Sequence, residues 1–217
     1  RHALLTSFVE SAVRNEHVGH TLLIDAAYHL YADEPHGWAA TIGEALDDGL
    51  PWPENLLICF AISLSKSHTI YGMRTGALVC LHPDENSLSR LRDVMGVTGR
   101  QTWSAAPRVA QYVLSEMHAQ EEGGAAWSHE RDRLAELLNV RRNRFLQACE
   151  SLDVQVNPSH DGFFAWYECE DPESIANACA DQHVYLVPLS GGVRIGLCAI
   201  PTESIERVAE ALAKAQR

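Results

Sequence analysis

The sequence predicts an α/β fold, a sheet covered by helices followed by a small α+β unit, and three features carry that prediction. Apolar runs of strand length recur with few polar interruptions at 21–28 (TLLIDAAY), 56–65 (LLICFAISLS) and 75–81 (TGALVCL). Near-continuous apolar runs mark strands buried on both faces, as in sheets with helices packed over them. After Pro83 the texture changes to amphipathic helical stretches, and beyond residue 152 short strands interleave with helices.

The elements follow in order. Leu4, Leu5, Phe8, Val9, Ala12 and Val13 recur at helical spacing, so a first helix is expected to about Asn15, with Gly19 closing it. The first apolar run reads as a buried strand ending on Asp25. The stretch YADEPHGWAATIGEALDDGLPWPEN reads as a loop rich in Pro, Gly and acids. Two further strands follow, joined across SLSKSHTIYGMR. Residues 88–95 and 105–118 read as helices, with a break at EEGGAA. A long helix is expected from about Ser128 to Leu152, with Leu134, Leu137, Leu138, Phe145 and Ala148 on its buried face. Short strands are expected at 154–156, 163–168 and 193–200, and helices at 172–182 and 202–215. No internal repeat or low-complexity tract interrupts this order.

Composition narrows the function classes. With 46% hydrophobic and 21% charged residues the 217-residue chain can bury a core. A net charge of −12 argues against nucleic acid as a partner, since phosphate backbones require basic patches. No apolar run reaches the length of a bilayer span, and RHALLTSFVES does not read as a signal peptide. The six cysteines form no C-x-x-C pair and sit largely in apolar runs, the pattern of reduced, packed thiols in a cytoplasmic protein. The eleven histidines show no metal-ligand spacing, so no metal is expected. The first residue is Arg1 rather than Met, and the chain reads as a fragment or a processed product.

Four residues stand out chemically. Lys66, flanked by Ser63, Ser65 and Ser67 just after a strand, reads either as a solvated turn residue or as a reactive amine. Arg74 lies eight residues on, at the mouth of the next strand. Together with the serines it makes a candidate phosphate site at strand ends, where α/β sheets bind ligands. Asp25, at the end of an apolar strand, reads either as a cap or salt-bridge partner or as an acid held against a protonated ring nitrogen. Tyr28 can add a phenol to the same place. Arg194, after Gly191-Gly192, reads either as an edge charge or as a fork for a carboxylate. Arg100, in a loop before a helix (GRQTWSAAP), reads by itself as a surface arginine.

Taken together, these residues resemble the fold-type I pyridoxal phosphate (PLP) aminotransferases of the aspartate and aromatic amino acid class. SLSKSHTIYGMRTGA matches the cofactor-lysine signature S-x-S-K-x-x-x-x-Y-G-x-R-x-G-A. DAAY (Asp25 to Tyr28), RQTWS (from Arg100), Gly162 to Phe164 and the G-x-R-I of Gly192 to Ile195 match four further motifs in the same order. The resemblance implies the aspartate aminotransferase-like PLP transferase fold, with part of the large-domain mixed sheet and the small C-terminal domain. It divides the chain into 1–103 in the PLP-binding large domain, 104–152 as helices including the long interdomain helix, and 153–217 as the small α+β domain. It further implies that Lys66 forms the Schiff base and acts as the catalytic base. Ser63, Ser65 and Arg74 would hold the phosphate, while Asp25 and Tyr28 would meet the ring. Arg194 would bind the substrate's α-carboxylate, Arg100 would act across a homodimer interface on a side-chain carboxylate or merely line the entrance, and Phe164 would wall the pocket. The implied reaction moves an amino group between an aromatic or acidic amino acid and a 2-oxo acid.

The departures from the family are equally definite. Its members are about twice as long, and this chain matches the second half. The N-P-T-G motif, the glycine-rich phosphate loop and the aromatic residue that stacks on the ring have no counterpart here. The matched residues thus cover one side of a site. Two alternatives remain at this stage: a lyase or decarboxylase on the same fold, and a non-catalytic half that needs the missing part.

Overall fold

A computed structural model describes residues 1–157 and 162–216. The chain divides into two compact units, Arg1–Leu30 with Glu34–Gly124, and Tyr31–Asp33 with Ala125–Arg217.

In the first unit, α1 (His2–Arg14) precedes β1 (His20–Asp25), α2 (Gly37–Asp47) and β2 (Leu56–Ser63), and β3 (Gly76–Leu81) completes a three-stranded sheet of order β1-β2-β3. β1 and β2 pair in parallel, from His20↔Leu56 to Asp25↔Ala61, whereas β3 returns antiparallel, from Ser63↔Gly76 to Ile58↔Leu81. Parallel neighbours cannot be joined by a tight turn and need a crossover, usually helical. That is why the expected loop at 31–55 contains α2. Its Ile42 and Ala45 pack with Leu5, Val9 and Ala12 of α1 against Leu22, Ile24, Leu56 and Ile58 of the sheet.

Helices α1 and α2 lie over the face of the sheet that carries Leu22 and Ile24. On the opposite face Leu23 is 60% exposed and Leu78 46%. That second face, expected to be covered throughout, is exposed at Leu23 and Leu78 although Cys59 on it is buried, and β1 alternates in burial. α1 ends at Arg14, earlier than the expected closure at Gly19, and for a different reason. The Asn55 amide reaches back to the carbonyls of Ala12, Asn15 and Val18 at 3.0, 3.1 and 2.8 Å, so a side chain 40 residues away from Asn15 satisfies the helix end.

α4 (Glu85–Thr102) opens on Asp84, whose carboxylate accepts from the backbone N–H groups of Asn86 and Ser87. These contacts, with the Ser87 hydroxyl, hold its carboxyl below the usual carboxylate range. The helix runs past the expected end at Met95 and takes in Arg100, which is thus helical and exposed rather than in a loop. α5 (Arg108–Ala119) follows, and α6 (Glu121–Ser151) then runs without a break through EEGGAA. A Cβ on Gly123 would come within 2.7 Å of the Met117 carbonyl oxygen, so glycine is what lets α6 begin so close to the end of α5.

From Ala125 the helix belongs to the second unit. Leu138, Phe145 and Cys149 are buried there, whereas Leu134 and Leu137 are 38% and 37% exposed, contrary to expectation. β4 (Phe164–Glu168), α7 (Pro172–Ala180), β5 (Val187–Leu189), β6 (Gly192–Gly196) and α8 (Ile205–Ala215) follow, in an antiparallel sheet of order β4-β6-β5. Phe145, Cys149, Ala165, Ile195, Leu197, Ile205 and Leu212 form the core. Tyr31 joins this unit by packing edge-on against Phe163 at 4.9 Å. Residues 154–156 form no strand. Val154 is buried but the backbone makes only an isolated bridge, Asn157↔Trp166. β6 stops at Gly196, where Leu197–Ala199 turn into a 3-10 helix, and β5 was not anticipated, being only three residues long. Among the described residues no helix is long and apolar enough to cross a membrane.

All six cysteines are free thiols. Burial alone pushes Cys149 up to about 12. Phe145 has no exposed surface and belongs to the same core cluster as residues of α8 and the sheet. Phe145→Ala should cost about 3–5 kcal/mol of stability, read as a lowered urea midpoint. A loss under about 1 kcal/mol would show that this core is not the one holding the second unit.

Candidate active site

The site begins with the register of the first sheet. Parallel pairing sets Asp25 beside Ala61, so the C-terminal ends of β1 and β2 lie together, two residues before Ser63. Antiparallel pairing brings the chain back at Gly76, opposite Ser63. A Cβ on Gly76 would collide with the Ile62 carbonyl, so only glycine allows this return. Leu64 N–H donates to the Thr75 carbonyl at 3.0 Å and closes the connection into a loop.

Inside that loop, one helical turn, α3 (Leu64–Ser67), lifts Lys66 from the sheet edge, and a 3-10 turn (Tyr71–Met73) leads to Arg74. Ser65, Ser67 and Thr75 are buried, an unusual density of hydroxyls for a loop. Arg74 donates to the Tyr71 carbonyl at 2.8 Å and to Ser65 Oγ at 3.3 Å. Its guanidinium lies 4.8 Å from the centre of the Tyr71 ring. Lys66 Nζ lies 4.6 Å from the same ring and 5.9 Å from that of Tyr28. Cations over aromatic faces are stabilised by the ring quadrupole, which steers both side chains to one place. Arg74 itself adopts the left-handed conformation (φ 51°, ψ 50°), a strained choice for a residue with a Cβ.

Asp25 is exposed at the strand end, not buried as expected, and its Oδ1 accepts from Ala27 N–H at 3.0 Å. It shares a sheet face with the exposed Leu23 and Leu78. Lys66, Ser65, Arg74 and Tyr28 thus form one cluster at the edge where β1 and β2 end, with Asp25 and Ser63 on the strand termini beside it. Arg100 takes no part in these contacts and stands on the last turn of α4. In the second unit Arg194, half-buried on β6, stacks at 4.7 Å from the centre of Phe164, whose strand pairs with its own.

Tyr71 is the cluster member that sequence reasoning overlooked as a contact residue. It was visible as the aromatic of the Y-G dipeptide, but only the folded loop shows that both cations meet its ring. Chemically, a guanidinium beside a buried hydroxyl suits a phosphate monoester, an amine on the adjacent turn suits a carbonyl, and a carboxylate suits a protonated ring nitrogen.

The family model described as aminotransferase class I and II matches residues 9–212. An aromatic-amino-acid aminotransferase of Pseudomonas aeruginosa is 26% identical over 200 residues, covering 88% of this chain and 47% of the relative. Among solved structures, an aminotransferase from Anaerococcus prevotii superposes with a TM-score of 0.88 at 25% identity, covering 97% of this chain and 50% of that one. An aromatic-amino-acid aminotransferase from Burkholderia pseudomallei, covalently bound to pyridoxal phosphate, gives 0.76 at 20% identity over 99% of this chain and 52% of that one. The chain therefore spans about half the length of the relatives it matches.

Strain at Arg74 makes a direct test. Arg74→Gly relieves the left-handed backbone while Arg74→Ala retains it, so the glycine variant should be the more stable of the two by about 0.5–1 kcal/mol in thermal melts. Equal stability would mean that the loop adopts another conformation in solution.

Proposed function

This chain belongs to the class I and II aminotransferases, whose family model matches residues 9–212, and on that premise we propose that it is the lysine-bearing portion of a PLP-dependent aminotransferase. The proposed reaction moves an amino group between an aromatic or acidic L-amino acid and a 2-oxo acid. The observation that carries it is the grouping of Lys66, Ser65 and Arg74 at the shared end of β1 and β2, beside Asp25.

The donor set fits the cofactor. Arg74 and Ser65 are already 3.3 Å apart, the spacing of two groups able to bind one phosphate, and Ser63 adds a hydroxyl at the strand end. Asp25 would accept from a protonated pyridine nitrogen and the Tyr28 phenol would meet a ring oxygen if the cofactor were bound. When bound, PLP supplies an electron sink for negative charge at the substrate's α-carbon. Lys66 Nζ would hold the carbonyl end of the cofactor between turnovers and would take the proton from that carbon. Arg194 grips the substrate's α-carboxylate with two parallel N–H donors, and the Phe164 ring that stacks on it restricts the guanidinium and walls the pocket. Arg100 acts on a side-chain carboxylate in the active site of a second copy, so the working enzyme is a homodimer. The reduced thiols favour the cytoplasm.

Mixing the purified chain with PLP, reducing with borohydride and mapping the labelled peptide tests the assignment. The label should fall on Lys66 and vanish in Lys66→Ala; a label elsewhere, or full transamination by Lys66→Ala in the assembled enzyme, sinks the mechanism. In the same enzyme Arg194→Lys should raise KM for the amino acid and lower kcat/KM by about tenfold to a hundredfold, since a lysine cannot reproduce the two-donor fork. Unchanged constants would reduce Arg194 to a charge stacked on Phe164.

A further inference from the structure

One pair of thiols meets across the first sheet. Cys59 on β2 and Cys80 on β3 stand directly opposite each other in the antiparallel register, although 21 positions separate them in the chain. Their sulfurs lie 3.5 Å apart, with the Cys59 S–H donating to Cys80 Sγ. Neither takes part in the reaction derived above.

The backbone hydrogen bonds fix which kind of opposite pair this is. Leu64 N–H donates to the Thr75 carbonyl, so these two residues, one step beyond Ser63↔Gly76 in the same register, are a hydrogen-bonded pair. Hydrogen-bonded and non-hydrogen-bonded pairs alternate along an antiparallel ladder. Cys59↔Cys80 lies five steps back and is therefore non-hydrogen-bonded. The parallel side of β2 agrees. The carbonyls of Asn55 and Ala61, which share the parity of Cys59, accept from His20 and Ala26 of the β1 segment. Non-hydrogen-bonded partners hold their Cα atoms about 4.5 Å apart and bring their side chains close. That separation falls within the window of about 4.4–6.8 Å in which two cysteines are bridged. Bonding the two sulfurs thus needs side-chain rotation and no change of register.

The two thiols differ in access. Cys59 is 3% exposed, and burial together with its hydrogen bond to Cys80 pushes its thiol up to about 11. Cys80 is half-buried, on the sheet face where Leu23 and Leu78 are exposed. We propose that Cys59 and Cys80 form a reversible dithiol site, which a small disulfide of the glutathione class oxidises to a cross-strand disulfide. Cys80 Sγ, as the thiolate, attacks one sulfur of glutathione disulfide, giving a mixed disulfide and one released glutathione thiolate. Cys59 then yields its proton to solvent base and its sulfur attacks Cys80 Sγ. The new bond forms as the mixed disulfide breaks and the second glutathione leaves. Two electrons pass from the protein thiols to glutathione, and the two protons end on the released glutathione thiols. The bridge ties β2 to β3 at the base of the loop that carries Lys66 and Arg74. In a reducing compartment the pair rests as thiols, and disulfides that form there are transient.

The site stands independently of the proposed reaction, because its readout is thiol content. The unaltered 217-residue chain is treated with glutathione disulfide, alkylated and digested. A linked peptide pair joining Cys59 to Cys80 should appear, with both thiols lost in equal amounts and both recovered with dithiothreitol. In Cys80→Ser the loss of the Cys59 thiol should fall at least tenfold, whereas Cys198→Ser, which removes an exposed thiol, should leave the linked pair unchanged. Cys59 and Cys80 both still alkylated after treatment, or a mixed disulfide on Cys80 that never proceeds to the linked pair, overturns the proposal. An undiminished loss of Cys59 in Cys80→Ser overturns it as well. Where that variant fails to fold by circular dichroism, the mapping of the unaltered chain decides.

Discussion

The parallel register between β1 and β2 is the constraint on which the first unit depends. Parallel strands place their C-terminal ends on one side of the sheet, so pairing Asp25 with Ala61 brings a carboxylate and, a few residues on, an amine to the same edge. The same register demands a crossover, which α2 supplies, and the crossover buries the apolar side of the sheet against α1 and α2. β3 then runs back antiparallel from Gly76, and the intervening loop has no route except across the strand ends. One choice of pairing thus explains the helix in the connection, the half-buried sheet and the location of the reactive side chains.

That loop concentrates positive charge. Lys66 and Arg74 approach one Tyr71 ring at 4.6 and 4.8 Å, and three buried hydroxyl residues surround them. The left-handed arginine adds backbone strain, so the loop is built at a cost. Under the proposed function, a phosphate bound there would use the donors of Arg74 and Ser65, which are already in contact. The face of the sheet on which Leu23 and Leu78 are exposed carries Asp25 at its end.

The second unit achieves its geometry differently. β4 and β6 pair antiparallel, which sets Arg194 opposite Trp166 and stacks its guanidinium on Phe164. Stacking on an aromatic face leaves the in-plane N–H groups of an arginine available as donors, so packing uses only one part of the side chain.

How much of this was legible beforehand follows from the range of the interactions involved. Strands at 20–25, 56–63 and 76–81 declared themselves through uninterrupted apolar runs, and the serine-flanked Lys66 with Arg74 stood out because charges are rare at the mouths of such strands. The helix at Gly37–Asp47 did not, since Pro, Gly and acids on both sides mask a short amphipathic segment whose helicity is required by strand pairing. The EEGGAA segment read as a break because glycine disfavours helix, yet the close approach to Met117 needs a residue without a Cβ. Leu134 and Leu137 share helical spacing with Leu138, but spacing alone does not say which side of a helix is covered. Residue types and local order, and with them the family, were determined by the sequence itself. Only the tertiary structure decided which distant groups meet, as Asn55 does the end of α1 and His118 does His68, because those contacts depend on strand register and helix packing across 40 to 50 residues.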